Sequence, residues 1–150
     1  MWILDSIADV GKMSPVQVAI LLEYASTGNE PRKITDIIEA LAVRFQGLWE
    51  PRKGTIYPSV HNLNIRGYLK LHAMSPRGYS LSEKGEEAVH NLVRNMYTQM
   101  DLYMRYFHFM IEKFMAINKE LALKTVKKYK EPLQEKVEEL EIFLKESPKE

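Results

Sequence analysis

Apolar residues recur at helical spacing along the first 67 residues, switch to alternation for a short stretch, and return to helical spacing for the rest of the chain. Trp2, Ile3, Ile7 and Val10 predict a short helix over residues 1–12, which Gly11 stops. Ser14-Pro15-Val16-Gln17 is a helix start, with Ser as N-cap, Pro at the first helical position and Gln three residues on to close a capping box. The apolar positions then run Val16, Ala19, Ile20, Leu22 and Ala25, ending at Thr27-Gly28-Asn29. Thr35 as N-cap, with Asp36 in the first turn, opens another helix that turns Ile37, Ile38, Leu41, Ala42 and Phe45 inward and stops near Gly47.

The next helix carries a proline. In "KGTIYPSVHNLNIRGYL" Val60, Leu63 and Gly67 follow Ile56 at +4, +7 and +11, so Ile56, Val60 and Leu63 make its buried face. With Thr55 as N-cap, Pro58 becomes the third helical residue, whose N–H has no intrahelical partner in any case. The face expected opposite the core is Thr55, Ser59, Asn62 and Arg66. After Gly67 the period drops to two: "YLKLHAM" alternates, "SPRG" turns and "YSLS" alternates again, which predicts a short hairpin with Arg77 at its tip. Ser82-Glu83 caps a new helix.

Three helices followed by a basic-tipped hairpin predict a winged helix-turn-helix. The expected fold is mainly α with a small β-hairpin wing. Residues 1–85 form the winged helix-turn-helix domain, with the extra helix at 1–12, and residues 86–150 form a C-terminal α-helical dimerisation region. That region reads as helix from Glu83 to about Asn118 and again from about Lys119 to Glu146, with Pro132 as a kink or restart. "MYTQMDLYMRYFHFMIEKFM" has Met, Tyr or Phe on nearly every face, and a helix apolar all round is buried on more than one side. Val126, Tyr129, Leu133, Val137, Leu140 and Leu144 follow as a coiled-coil-like seam flanked by Lys and Glu. A two-fold mate is the economical way to bury both, which assigns Met100, Tyr103, Phe107, Met110, Phe114, Leu133, Val137 and Leu140 to a homodimer interface.

Charge changes the picture once it is mapped. The formal net charge is only +1, but residues 51–82 hold Arg52, Lys53, Arg66, Lys70 and Arg77 with no acid, while residues 1–50 carry seven acids against four bases. Such a window reads as a solvated cluster or as a polyanion footprint. Thr55, Ser59, Asn62 and Arg66 are side chains that read base edges and phosphates; Lys53, Lys70 and Arg77 are placed to hold the backbone. Lys33, Arg52, Pro58 and His61 complete the expected double-stranded DNA surface.

Here the residues carry a resemblance. "LWEPRKGTIYPSVHNLNIRGYL" followed by "GYSLSEKGEEAV" resembles the PadR family of transcriptional regulators. The shared pattern is Trp-x-Pro ahead of Gly-Thr-Ile-Tyr-Pro, a recognition helix ending in Gly, then Tyr-x-Leu-Ser/Thr-Glu-x-Gly. Trp49, Pro51, Gly54, Thr55, Tyr57, Pro58, Leu63, Gly67, Tyr79, Leu81, Glu83 and Gly85 fall on it. The resemblance implies a dimeric winged-helix repressor, with its C-terminal helices making the dimer and a small aromatic or hydrophobic effector in some members. It also suggests the Tyr57 hydroxyl on a phosphate, beside the plainer reading as a core-edge aromatic. The chain departs from the pattern in a less basic wing before Tyr79 and in Asn64-Ile65-Arg66, where acids are common.

Other classes find little support. The chain has no cysteine, which removes disulfides, zinc–thiolate sites and a Cys nucleophile. His61, His72, His90 and His108 are scattered, and neither a Gly-x-Ser-x-Gly nor a phosphate-binding Gly-rich loop is present. No enzyme, metal or cofactor is expected. Asp5 and Asp9 interrupt the first apolar stretch, and no apolar run reaches the ~20 residues of a membrane span, so the expectation is a cytoplasmic protein with no membrane partner. The competing reading is a winged-helix dimer that binds protein through its third-helix face. RNA binding is a weaker third, since no exposed aromatic platform is evident.

Overall fold

The structure, a computed structural model, describes residues 13–146, so the helix expected over residues 1–12 lies outside the described residues. Its elements are α1 (Pro15–Ala25), α2 (Ile34–Arg44), α3 (Lys53–Ile65), β1 (Leu69–His72), β2 (Gly78–Leu81), α4 (Glu83–Ile117) and α5 (Lys119–Glu146). The chain divides into two compact units, one ending at Gln99 and the other beginning at Met100.

The first unit is the expected winged helix. Ile20, Leu21 and Tyr24 of α1, Ile37 and Leu41 of α2, and Ile56, Val60 and Leu63 of α3 are at most 1 % exposed and meet in one core. Full burial of such side chains stabilises by roughly 1.5–3 kcal/mol each, so these three helices hold one another. Tyr68, Leu69, Tyr79 and Leu81 close the core from the hairpin, and Ala88 and Leu92 from the start of α4. The strands are antiparallel, with Leu69 opposite Leu81 and His72 opposite Gly78. Arg32 adds an isolated bridge to β2: its N–H donates to the Tyr79 carbonyl and its carbonyl accepts from the Tyr79 N–H, both at 2.8 Å.

Local signals explain most boundaries. The Ser14 and Gln17 side chains form the expected capping box. Helix α3 ends in a Schellman motif: Gly67 sits at φ +83°, its N–H donates to the Asn64 carbonyl, and the Tyr68 N–H donates to the Leu63 carbonyl. The Ser82 hydroxyl caps α4 by accepting from the Gly85 N–H and also donates to the Gly67 carbonyl. Lys84 Nζ donates to the Arg66 carbonyl at 2.7 Å, so the start of α4 satisfies the end of α3.

Three sequence readings need correction. Helix α2 starts with Lys33 as N-cap, and Thr35 lies inside it; the Asp36 carboxylate reaches back to the Lys33 N–H at 3.1 Å. Likewise α3 starts with Arg52 as N-cap, and Thr55 is its third residue. The fully buried Ile56 needs an acceptor for its amide and finds the Arg52 carbonyl at 2.9 Å, which draws the helix back by most of a turn. Pro58 is then the sixth helical residue and leaves the Gly54 carbonyl without its i+4 donor. In α1, Leu21 and Tyr24 face the core while Leu22 is 43 % exposed. Three consecutive apolar residues leave the rotation of a helix open, and the large Tyr24 ring decides it.

In the second unit α4 and α5 continue as long helices, and α5 passes through Pro132 without a break. Asn118 ends one and caps the other, its Oδ1 accepting from the Leu121 N–H at 3.0 Å. No helix among the described residues is long and apolar enough to cross a membrane.

Candidate nucleic-acid interface

At 3.6 residues per turn, α3 has three working strips. Ile56, Val60 and Leu63 enter the core. Tyr57, His61 and Asn64, one residue later in register, face the wing. Thr55, Ser59, Asn62 and Arg66 stand about a quarter-turn to the other side of the core strip, a flank rather than its opposite face.

The wing-side strip, the start of α2 and the hairpin enclose a groove of about 640 Å³. Lys33, Tyr57, His61 and Arg77 line it, joined by Ile34, Thr35, Asn64, Leu71, Gly78 and Tyr79. His61 Nδ1 lies 3.3 Å from the Tyr79 hydroxyl, and its ring is edge-on to that of Tyr79. Gly78 permits the closeness of the walls: a Cβ there would lie 2.5 Å from the Arg32 carbonyl oxygen. Lys33 and Arg77 stay exposed, so two cations flank an aromatic and imidazole floor.

The other flank is engaged with its own chain. Asn62 Oδ1 accepts from Gln17 Nε2 at 2.9 Å, and the Ser59 hydroxyl donates to the Thr55 carbonyl at 2.7 Å. The Arg66 guanidinium lies over the Tyr68 ring, 5.2 Å from its centroid. Arg52, Lys53, Thr55 and Pro58 are exposed around the start of α3. Lys70 is exposed on β1 but alternates with Leu71, which puts it on the hairpin face turned away from the groove. The groove therefore gathers Lys33, Tyr57, His61 and Arg77 and leaves the remaining expected residues around it. Asn64 and Tyr79 were missed by sequence reasoning. The same +4 and +7 spacing that marks the core strip, started at Tyr57, would have found Asn64; Tyr79 needs the hairpin register.

A buried ion triad braces this surface. Glu23 is only 6 % exposed, and its carboxylate accepts from Arg44 Nε at 2.6 Å and from Arg32 Nη1 at 3.4 Å. Burial alone would push the Glu23 carboxyl up. The hydrogen bonds and charges of Arg44 and Arg32 outweigh burial and hold it below the usual carboxylate range. Arg32 is thereby fixed where its backbone pairs with Tyr79. The Tyr24 hydroxyl beneath has no hydrogen-bond partner among the described residues, and burial pushes its ionisation well up, so it stays a neutral phenol. Trp49 packs against the core with its ring edge-on to Phe45, 5.6 Å between centroids, ahead of α3.

The residues expected at a dimer interface lie on α4 and α5. Met100, Tyr103, Met110, Leu133, Val137 and Leu140 are exposed, and Phe107 and Phe114 are half-buried. Among the described residues no group of three or more acidic, His or Cys side chains is placed to hold a metal ion.

Neither the curated proteins nor the solved structures contain a match to this chain. Residues 21–91 match the model of the Transcriptional regulator PadR-like family, a span that runs from within α1 through α3 and the wing into α4. With its helices, hairpin and Gly-Thr-Ile-Tyr-Pro segment in the places described above, this part of the chain is similar to the PadR-like family of transcriptional regulators.

Proposed function

We propose that the protein is a sequence-specific double-stranded DNA-binding regulator that acts in the cytoplasm as a homodimeric repressor. The observation that supports this best is the groove between α2, α3 and the wing, where Lys33 and Arg77 flank Tyr57 and His61 within an acid-free stretch of chain. A polyanion meets no repulsion from residues 51–82, and the two cations stand at the edges of the groove on the wing side of the helix that would enter a major groove. Helix α3 offers Asn62, Arg66 and Thr55 as hydrogen-bonding groups and Pro58 with the exposed Ile65 as apolar contacts for thymine methyls. Arg52 and Lys53 at its start, the Tyr57 hydroxyl and Arg77 hold phosphates. A homodimer would present two such helices to half-sites of a pseudo-palindromic operator, roughly 34–36 Å apart. The exposed Met, Tyr and Phe side chains of α4 supply the apolar surface for the mate, and Met-rich surfaces repack readily around a small aromatic or hydrophobic effector that would release the DNA.

The test is selection of bound sequences from random duplex DNA, followed by a salt titration of the winner. Enrichment of an inverted repeat, with affinity falling steeply as salt rises, is the expected result. Enrichment of nothing with weak salt-sensitive binding would reduce the protein to a non-specific binder. Absence of binding by a folded dimer would replace this reading with a protein-interaction module.

A further inference from the structure

We propose that Gln17, on α1 and outside the recognition helix, sets which base Asn62 reads, limiting it to hydrogen-bond acceptors and so to guanine rather than adenine. This rests on the DNA-binding reading above and assigns the chemistry of one contact within it. A relay of two hydrogen bonds from α1 to α3 carries it.

The relay begins at a group with only one possible role. The Ser14 backbone N–H can only donate, and it meets the Gln17 side chain at 3.1 Å, so the atom there is Oε1. The other end of the same amide, Nε2, can only donate, and it faces α3. It lies 2.9 Å from the Asn62 side chain, where the accepting atom is Oδ1. The orientation of both amides therefore follows from a backbone N–H, with no free choice between amide oxygen and nitrogen. The capping box uses the oxygen of Gln17 and leaves its nitrogen for this second task.

With Oδ1 turned to α1, Asn62 presents the two N–H groups of Nδ2 on its other side. Asn62 is exposed, and of the four polar residues on its flank it stands furthest round α3 from the core strip, roughly 125° away. That places it beside Pro58 and Ile65, on the face that would enter a major groove. An unheld asparagine reads adenine with both ends, Nδ2 donating to N7 while Oδ1 accepts from the N6 amine. Asn62 can do so only by giving up the bond from Gln17. Donors alone suit guanine, whose N7 and O6 both accept, and they meet the amines of adenine and cytosine donor against donor. One neutral hydrogen bond shifts an equilibrium by roughly two- to tenfold, and that is the bias Gln17 places against adenine.

The test uses the full-length chain and the operator enriched from random duplex DNA. Asn62→Ala identifies the base pair that Asn62 reads, as the position where preference relaxes. Affinities are then compared for the enriched operator and for one in which adenine replaces guanine at that pair. The parent should favour guanine. Gln17→Ala releases the Asn62 amide and should raise the adenine-to-guanine affinity ratio by about two- to tenfold. Gln17→Glu should raise it at least as far: glutamate keeps the capping box but has only acceptors, so Asn62 must turn Nδ2 to it and Oδ1 to the DNA. In the Asn62→Ala background neither change at residue 17 should move the ratio.

Thermal unfolding checks that each variant is folded. A change that merely loosens α1, or adds negative charge near the phosphates, lowers both affinities together and leaves their ratio alone. An unchanged ratio in both Gln17 variants would therefore overturn the proposal, as would an adenine at the Asn62-dependent pair of the parent operator. An operator in which Asn62→Ala relaxes no position would overturn it too. Each of these results leaves the regulator reading intact. A parent protein that enriches no sequence would take both down.

Discussion

Replacing Glu23 by Gln removes the one negative charge between Arg32 and Arg44 while keeping size and shape. The two arginines differ in what they can do next: Arg44 is 60 % exposed and turns to water, whereas Arg32 is 17 % exposed and stays beneath the wing. Arg32 keeps its bond to the Glu23 carbonyl at 3.0 Å but loses its counter-charge. A hydrogen bond to a charged group contributes about 1.5–3 kcal/mol, and the exposed half of the triad counts for less. We expect a loss of about 2 kcal/mol, or roughly 10 °C in Tm for a unit of this size. The pH dependence has a definite sign. The folded carboxyl ionises at lower pH than the unfolded one, so through the carboxylate range the unfolded chain binds more protons. The stabilisation is therefore fully present at neutral pH and drains away as pH falls through the ordinary carboxylate range towards the folded value. Thermal unfolding of both proteins across the acid range measures the effect, and Glu23→Gln should show a shallower acid slope. A variant melting within about 2 °C of the parent at neutral pH, with the same acid slope, would refute the argument.

Tyr24→Phe removes a buried hydroxyl that has no partner among the described residues and should leave stability unchanged or raise it by about 1 kcal/mol; a clear loss in urea unfolding would mean the hydroxyl is satisfied. Gly78→Ala forces a methyl group against the Arg32 backbone and should cost ~1–3 kcal/mol while weakening DNA binding, read by unfolding and by a binding titration. If Arg66 reads a guanine, Arg66→Ala should cost ~1–3 kcal/mol of binding and relax one operator position. Arg77→Ala should instead weaken binding to every sequence and flatten the salt slope, so equal effects of both changes on all DNAs would erase the distinction between reader and clamp.

The order of elements was legible from the amino acids alone, and for local reasons. The Ser14–Gln17 capping box, Gly67 ending α3, Ser82 opening α4 and the alternation on either side of the Ser75–Gly78 turn all act within a few residues of themselves. The core strip Ile56–Val60–Leu63 was legible because helical geometry alone puts those positions together. Tertiary packing decided the rest. Burial of Ile56 moved the start of α3 past Thr55, and the Tyr24 ring chose between Leu21 and Leu22. The candidate site was legible as a set of residue types, but its division into a wing-side groove and an engaged flank was not. Gln17 reaching Asn62, Glu23 holding Arg32 and Arg44, and Arg32 pairing with Tyr79 join residues 45, 9, 21 and 47 positions apart. No periodicity encodes such pairs, because they exist only once the buried faces of α1, α2 and α3 have met.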